Sequence, residues 1–215
     1  MENKDISHLR KSYVKSKLNL EDINFQPIEF FKLWFDDALS NKDIEEANAM
    51  TLTTLGLDDF PKGRVVLLKS FTEAGFIFYT NYKSEKGLSI EYHSKVGLSF
   101  FWPPLERQVI IKGEIEKISS VDSDNYFSSR PKGSQISALV SEQSKAIKSR
   151  EILEEKMDMM EKKYITKEIK RPKNWGGYLV KPKSVEFWQG RPNRLHDRIL
   201  CTLVKNSWEI KRLSP

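Results

Sequence analysis

Hydrophobic positions change period along this chain. Across Pro27–Ser40 (PIEFFKLWFDDALS), Phe30, Phe31, Leu33, Trp34 and Leu39 recur at roughly helical spacing, which predicts an amphipathic helix. The middle of the chain switches to β-branched and aromatic runs at residues 50–55, 64–70, 76–80, 96–102 and 107–118, separated by Gly, Asp, Asn or Pro. In the last run Val109, Ile111, Gly113 and Ile115 alternate with Lys112, Glu114 and Glu116, the pattern of a strand buried on one face.

Helical spacing returns at 121–130, 134–140 and 148–164. There Leu153, Met157, Met160 and Tyr164 form a stripe expected to face the core. Strand-like runs close the chain at 177–180, 184–188, 195–204 and 208–213. Many short strands without regular strand–helix–strand alternation predict a mainly β protein, an antiparallel barrel with added helices, over a doubly wound parallel sheet. No repeat or low-complexity tract interrupts the pattern, and 167–173 reads as a mobile loop.

Composition narrows this further. With 215 residues, 39% hydrophobic, and 12 Phe, 5 Trp and 7 Tyr, the chain can bury a sizeable core. Residues 1–20 are polar and charged and read as a mobile N-terminal arm, with 21–215 as a single domain. Apolar runs such as Val65-Val66-Leu67-Leu68 are far shorter than the roughly 18 residues of a membrane span, and no export signal is expected. The single cysteine, Cys201, excludes an intramolecular disulfide and a Cys-rich zinc site and fits a reducing compartment, so a cytoplasmic location is expected.

The net charge of +6 suggests a polyanionic partner, but ten Lys/Arg against six Asp/Glu between Lys145 and Lys173 concentrate the surplus in one segment. That reads as a solvated helix face, and no nucleic-acid-binding module accompanies it.

The glycines form neither GxGxxG nor a P-loop. GxSxG and HExxH are absent, and His8, His93 and His196 are too scattered for a metal site. What remains are constellations suited to anions. Arg64 and Lys69 bracket RVVLLK; on one strand they would stand roughly 16 Å apart and face opposite sides, serving either two anions or solvent. Tyr126 and Arg130 share a helix face, Pro131 can start the next helix and Ser134 falls in its first turn. That arrangement seats either a phosphate or simply a packed Tyr and a capping Arg. Ser84 can cap a short helix carrying Lys86. If residues 194–198 are extended, Arg194, His196 and Arg198 share one face, and three cationic or potentially cationic groups there call for an anionic or polar ligand.

RVVLLK at 64–69, FYTN at 78–81, LERQV at 105–109, YFSSRPKGSQI at 126–136, SEQS at 141–144, WGGY at 175–178 and EFWQGRPNRLHDR at 186–198 together resemble the pyridoxamine 5′-phosphate oxidase family. The resemblance implies an antiparallel FMN-binding split β-barrel and a homodimer with its FMN sites at the subunit interface. The implied reaction converts pyridoxamine or pyridoxine 5′-phosphate to pyridoxal 5′-phosphate, reducing O₂ to hydrogen peroxide and releasing ammonia from the amine. It implies FMN contacts at Arg64, Val65, Val66, Leu67, Leu68, Lys69, Tyr79, Thr80, Lys86, Gln108, Gln143, Ser144, Trp188 and Arg198. Substrate contacts would fall to Lys69, Tyr126, Arg130, Ser134, Arg194 and His196, with Arg194 and His196 catalytic and with Arg10 and Tyr13 of the arm closing over the ligand. No metal, nucleic-acid or membrane partner is implied. Two phosphate monoesters would account for two basic clusters.

One position departs from the family. Glu85 stands where an Arg usually precedes Lys86, and a carboxylate there would repel a phosphate dianion, so Glu85 is expected to point away. Two alternatives use the same barrel: a flavin or vitamer carrier, and a reductase using a deazaflavin or nicotinamide. Neither needs the combination of Tyr126, Arg130 and Ser134 with RLHDR.

Overall fold

Helix α1, Pro27–Ser40, starts on a proline whose missing N–H costs nothing in the first turn and whose fixed φ suits the helix. It buries Phe30, Phe31, Trp34 and Ala38 along one stripe. Phe31 lies 5.1 Å from Phe100, and Phe30 and Trp34 lie 4.9 and 5.4 Å from Phe187 between ring centroids. Leu33 and Leu39, expected on that face, are 60% and 59% exposed, because at 3.6 residues per turn they fall on either side of the stripe.

The computed structural model describes residues 4–23 and 26–215, so the first three residues of the expected arm lie outside the described part. Two compact units emerge: Met1–Asn48 with Ser99–Ile111 and Lys183–Pro215, and Ala49–Leu98 with Lys112–Pro182. Among the described residues no helix is long and apolar enough to cross a membrane.

The second unit holds most of the sheet. Its strands are β1 Ala49–Leu55, β2 Pro61–Leu67, β3 Ser70–Thr72 and β4 Gly75–Asn81, together with parts of β5 Lys95–Trp102, β6 Arg107–Lys117 and β7 Trp175–Gln189. They are hydrogen-bonded in the order β2-β1-β5-β6-β7-β4-β3. Val109, Ile111, Gly113 and Ile115 of β6 are buried while Lys112, Glu114 and Glu116 are exposed, as the alternation predicts. Helix α2, Glu85–Tyr92, follows β4; α3 Ser120–Ser129, α4 Lys132–Val140 and α5 Glu151–Lys163 lie between β6 and β7. Phe127, Ile136, Val140, Ile169 and Trp175 form a core among these helices. No residue of α5 is fully buried, so its Leu153–Met157–Met160 stripe, with Tyr164 beyond it, covers this cluster from outside instead of forming the core.

Two rearrangements of the expected strand runs matter for the architecture. The run at 64–70 breaks after Leu67, because the Lys69 N–H donates to the Ile77 carbonyl at 2.9 Å and pulls the chain toward β4. With no continuous strand joining Arg64 and Lys69, counting alternate faces between them fails. The runs at 177–180 and 184–188 are one strand, β7, which passes through Pro182; the missing N–H falls where β7 changes partner from β4 to β8.

In the first unit, β7 pairs antiparallel with β8, Asp197–Val204, and β8 with β9, Ser207–Leu213. Strand β8 begins only at Asp197. Before it Pro192–Arg194 is a 3₁₀ turn with Asn193 and Arg194 in the left-handed region, at φ 55° and 61°. Arg194 is therefore not extended, and the shared face expected for Arg194, His196 and Arg198 does not form.

Candidate active site

A pocket of about 420 Å³ opens in the second unit. The end of β2 supplies Val65, Val66 and Leu67, and Lys69 follows beyond the break. Tyr79 and Thr80 enter from β4, Lys86 from α2, Tyr126 from α3, and Arg130, Pro131 and Ser134 from the α3–α4 corner. Gln143 and Trp175 complete the wall.

Its centre is an aromatic stack carrying a cation. Tyr126 lies over Tyr79 with centroids 3.8 Å apart, and Trp175 lies nearly parallel to both at 6.2 and 5.7 Å. The Arg130 guanidinium sits 4.5 Å from the Trp175 centroid, a cation–π arrangement. Its NH1 is buried with no hydrogen-bond partner. Burial works against the charge of Arg130, and Tyr126 partly offsets that. The Tyr79 phenol is pushed up by burial and then by Tyr126. An orphaned guanidinium nitrogen is costly unless an anion meets it.

Ser134 lies in the first turn of α4, whose N-cap position is Pro131, a residue that offers no side-chain cap. The free N–H groups of that turn suit the same anion. Of the two readings left open by the sequence, the unpartnered Arg130 nitrogen favours the phosphate. Among the described residues, Tyr178 Oη is the other orphaned buried side-chain atom; Tyr178 is packed against Phe78 and Tyr82 and is not part of the pocket wall.

The second basic cluster of this unit is Arg64 with Lys86. Arg64 NH1 donates to the Leu52 carbonyl at 3.1 Å and to Thr54 Oγ1 at 2.8 Å. Ser84 caps α2 by accepting from the Gly87 N–H at 3.3 Å. Lys86 Nζ donates to Ser84 Oγ at 3.3 Å and to Gln143 Oε1 at 3.4 Å. Burial lowers the Lys86 pKa most, the neighbouring Arg64 charge lowers it further, and Glu85 opposes both. Burial likewise lowers that of Arg64. Two half-buried cations beside a capped helix N-terminus fit a second phosphate. The Glu85 carboxylate is gripped by Lys62 Nζ at 2.6 and 2.7 Å.

The pocket of the first unit is larger, about 550 Å³, and brings Arg10 and Tyr13 of the arm together with Arg191, Asn193, Arg194 and His196. The Arg191 N–H donates to His196 Nδ1 at 3.1 Å, which leaves the proton of a neutral ring on Nε2. Burial lowers the His196 pKa, Arg194 lowers it further, and Asp197 opposes both. Trp188 packs on His196 at 4.7 Å and meets Tyr13 edge-on at 5.6 Å. Arg198 is not part of this wall: its Nε donates to Glu186 Oε1 at 2.8 Å and its NH1 to the Ser214 carbonyl at 2.9 Å.

The remaining expected contacts are placed as follows. Leu68 is buried, at 3% exposure, and does not line the second unit's pocket. Gln108 is half-buried on β6 in the first unit. Ser144 is exposed with φ 73°. Trp175 and Asn193 were not singled out by the sequence; the aromatic at the head of WGGY was the available signal for the first, while the left-handed backbone of the second leaves none.

Two family models match the chain. One is described as pyridoxamine 5′-phosphate oxidase, over residues 37–164, and the other as the pyridoxine 5′-phosphate oxidase C-terminal dimerisation region, over 175–215. The pyridoxine/pyridoxamine 5′-phosphate oxidase of Flavobacterium psychrophilum is 58% identical over 213 residues, covering 99% of this chain and 100% of that protein. The protein of the same name from Leptospira biflexa is 46% identical over 98% of this chain and 99% of its own length. Among solved structures, PhzG from Burkholderia lata in complex with tetrahydrophenazine-1-carboxylic acid superposes with a TM-score of 0.88 at 24% identity, covering 95% of this chain and 100% of that one. A pyridoxamine 5′-phosphate oxidase-related, FMN-binding protein from Nostoc punctiforme gives 0.70 at 16% identity, covering 90% and 100%. At such identities these two structures establish the fold alone.

Proposed function

The chain belongs to the pyridoxamine 5′-phosphate oxidase family, and from that membership we propose that it oxidises pyridoxamine and pyridoxine 5′-phosphates to pyridoxal 5′-phosphate. FMN is the cofactor, O₂ the acceptor and hydrogen peroxide the by-product, with ammonia released when the amine is the substrate. The protein acts as a homodimer, supported by the dimerisation region matched at 175–215. A cytoplasmic location is in keeping with the lone, buried Cys201, whose thiol burial pushes up to about 12.

The observation that carries the reading is the buried, partnerless NH1 of Arg130 above Trp175, with Tyr126 and Ser134 in the same pocket. A phosphate monoester satisfies that nitrogen and the open turn of α4 together. We assign Arg130, Lys69, Tyr126 and Ser134 to the substrate phosphate. Arg64, Lys86 and the Ser84-capped helix take the phosphate of FMN; the residues present fit the group. Bound FMN supplies the two-electron acceptor for the C4′–H bond.

What the chain itself contributes is placement. Holding the remote phosphate uses binding energy to orient the reacting carbon. Arg194 presents a fixed positive charge. His196, kept neutral with its proton on Nε2, presents a donor and not a base, because Nδ1 already accepts from Arg191. Arg10 and Tyr13 cover that pocket and exclude water. Purification in the yellow flavin-bound form and peroxide release with pyridoxamine 5′-phosphate under air are the expected results. A protein that stays colourless in excess FMN refutes the reading, and one that binds FMN without turnover is a carrier.

A further inference from the structure

Among the described residues the buried acidic side chain is Glu106, 1% exposed, and the proposed reaction gives it no task. A carboxylate is expensive to bury and is kept only where hydrogen bonds repay the lost hydration. Here Glu106 Oε2 accepts from two consecutive main-chain N–H groups of the arm, Val14 at 2.9 Å and Lys15 at 3.0 Å. Lys11 Nζ lies 3.6 Å from Oε1. The backbone of Glu106 is left-handed, at φ 56°, and its carbonyl accepts from the Gly190 N–H at 2.7 Å and from Gln189 Nε2 at 3.2 Å. One residue thus ties the arm, through its side chain, to the end of β7, through its backbone.

Gly190 supplies the other half of the seat. A Cβ at this position would stand 2.7 Å from Tyr13 Cγ and 2.8 Å from Tyr13 Cβ, so the ring can lie there only over glycine. Seated in this way, Tyr13 reaches Trp188 at 5.6 Å and His196 at 5.8 Å, and Arg10 joins the same pocket wall. Further ties of the arm lie along the chain at Ser16 and Leu18: Arg191 NH1 donates to the Ser16 carbonyl, the Leu18 N–H to Asp197 Oδ2 and Arg212 NH2 to the Leu18 carbonyl. Glu106 is the tie next to Tyr13.

We infer that Glu106 is a positioning residue which, with Gly190, holds Arg10 and Tyr13 closed over the Arg194–His196 pocket. The identity of the pocket's occupant rests on the oxidase reading; the seat for the arm does not. A charge-assisted bond is worth enough that losing it changes an opening equilibrium by about tenfold.

The test uses the full-length, FMN-loaded protein as Glu106→Ala, Glu106→Gln and Gly190→Ala. Trypsin cleavage after Lys11, Lys15 and Lys17, followed by mass spectrometry, should accelerate about tenfold in Glu106→Ala and less in Glu106→Gln. The KM for pyridoxamine 5′-phosphate should rise by a similar factor while kcat and flavin content hold. In a Tyr13→Ala background, Glu106→Ala should raise KM by a smaller factor than in the wild type, since one of the two contacts it positions is already gone.

Unchanged arm cleavage and KM overturn the inference. So does a loss in which flavin content and Tm fall together and cleavage spreads along the whole chain, the mark of a purely structural residue. If Glu106→Ala does not fold, unchanged arm cleavage in both Glu106→Gln and Gly190→Ala is decisive against it. A wild-type protein that fails to oxidise the substrate defeats the oxidase reading, and the cleavage rates still decide the seat.

Discussion

The Arg191 N–H donates to His196 Nδ1 at 3.1 Å, so the main chain of a tight turn fixes the tautomer of the neutral imidazole, with its proton on Nε2. Protonating the ring would place an N–H against that N–H. Burial and Arg194 push in the same direction, lowering the His196 pKa below its ordinary 6.5.

A pH dependence follows. A depressed folded value means the unfolded chain binds the proton more readily, so the stabilising contribution is present above the ordinary histidine range and is lost as pH falls through the depressed value. Protonation leaves the Nε2–H in place but removes the Nδ1 acceptor that Arg191 holds, so activity that needs the ring held in this orientation should fall over the same acid window. NMR titration should place the His196 midpoint below the ordinary 6.5; a midpoint at or above 6.5 counts against the neutral, one-donor role.

Arg130 separates charge from shape. Arg130→Lys keeps the charge but loses the planar group over Trp175 and the fork that meets a phosphate, and Arg130→Met removes the charge as well. We expect kcat/KM for pyridoxamine 5′-phosphate to fall by about tenfold in the first and about a hundredfold in the second, with FMN content retained. Steady-state kinetics alongside flavin absorbance gives both quantities. Equal loss of flavin and substrate affinity would mean that Arg130 serves the cofactor.

Much of the scaffold is legible in the sequence because burial has a period. Pro27–Ser40 is read to the residue, and the alternation in β6 matches its buried face position by position. Alternation says nothing about partners, however. The break after Leu67 depends on a bond from Lys69 to Ile77, and the continuity of β7 through Pro182 on a change of neighbour. The site follows the same division. Its charged residues stand out in sequence by type and spacing, whereas the left-handed turn at Asn193 and Arg194, the Arg198–Glu186 pair and the orphaned Arg130 nitrogen arise only from tertiary contacts.

Glu85 offers a gain-of-affinity test. Its pair with Lys62 is solvent-exposed on both sides, the kind of ion pair that contributes little to stability. Glu85→Arg removes a negative charge that acts on both Arg64 and Lys86, and adds a cation near the seat proposed for the FMN phosphate. Flavin titration of the apoprotein should show a Kd lower by roughly three- to tenfold, shrinking as salt rises. An unchanged or weaker Kd rules out that placement of the phosphate.

Arg194 combines a side chain proposed to meet the substrate with a strained backbone, since a non-glycine residue at φ 61° sits where glycine is at ease. Arg194→Ala and Arg194→Gly both delete the guanidinium, so both should lower turnover far more than FMN content. They should part company in stability. Glycine relieves the left-handed conformation by about 1 kcal/mol, which for a domain of this size is a Tm higher by roughly 2–4 °C than that of the alanine variant. Paired thermal melts and turnover assays read the two effects separately. Matching melts for the two variants would show that the turn is unstrained, and a loss of flavin in step with turnover would show that Arg194 holds the cofactor and not the substrate.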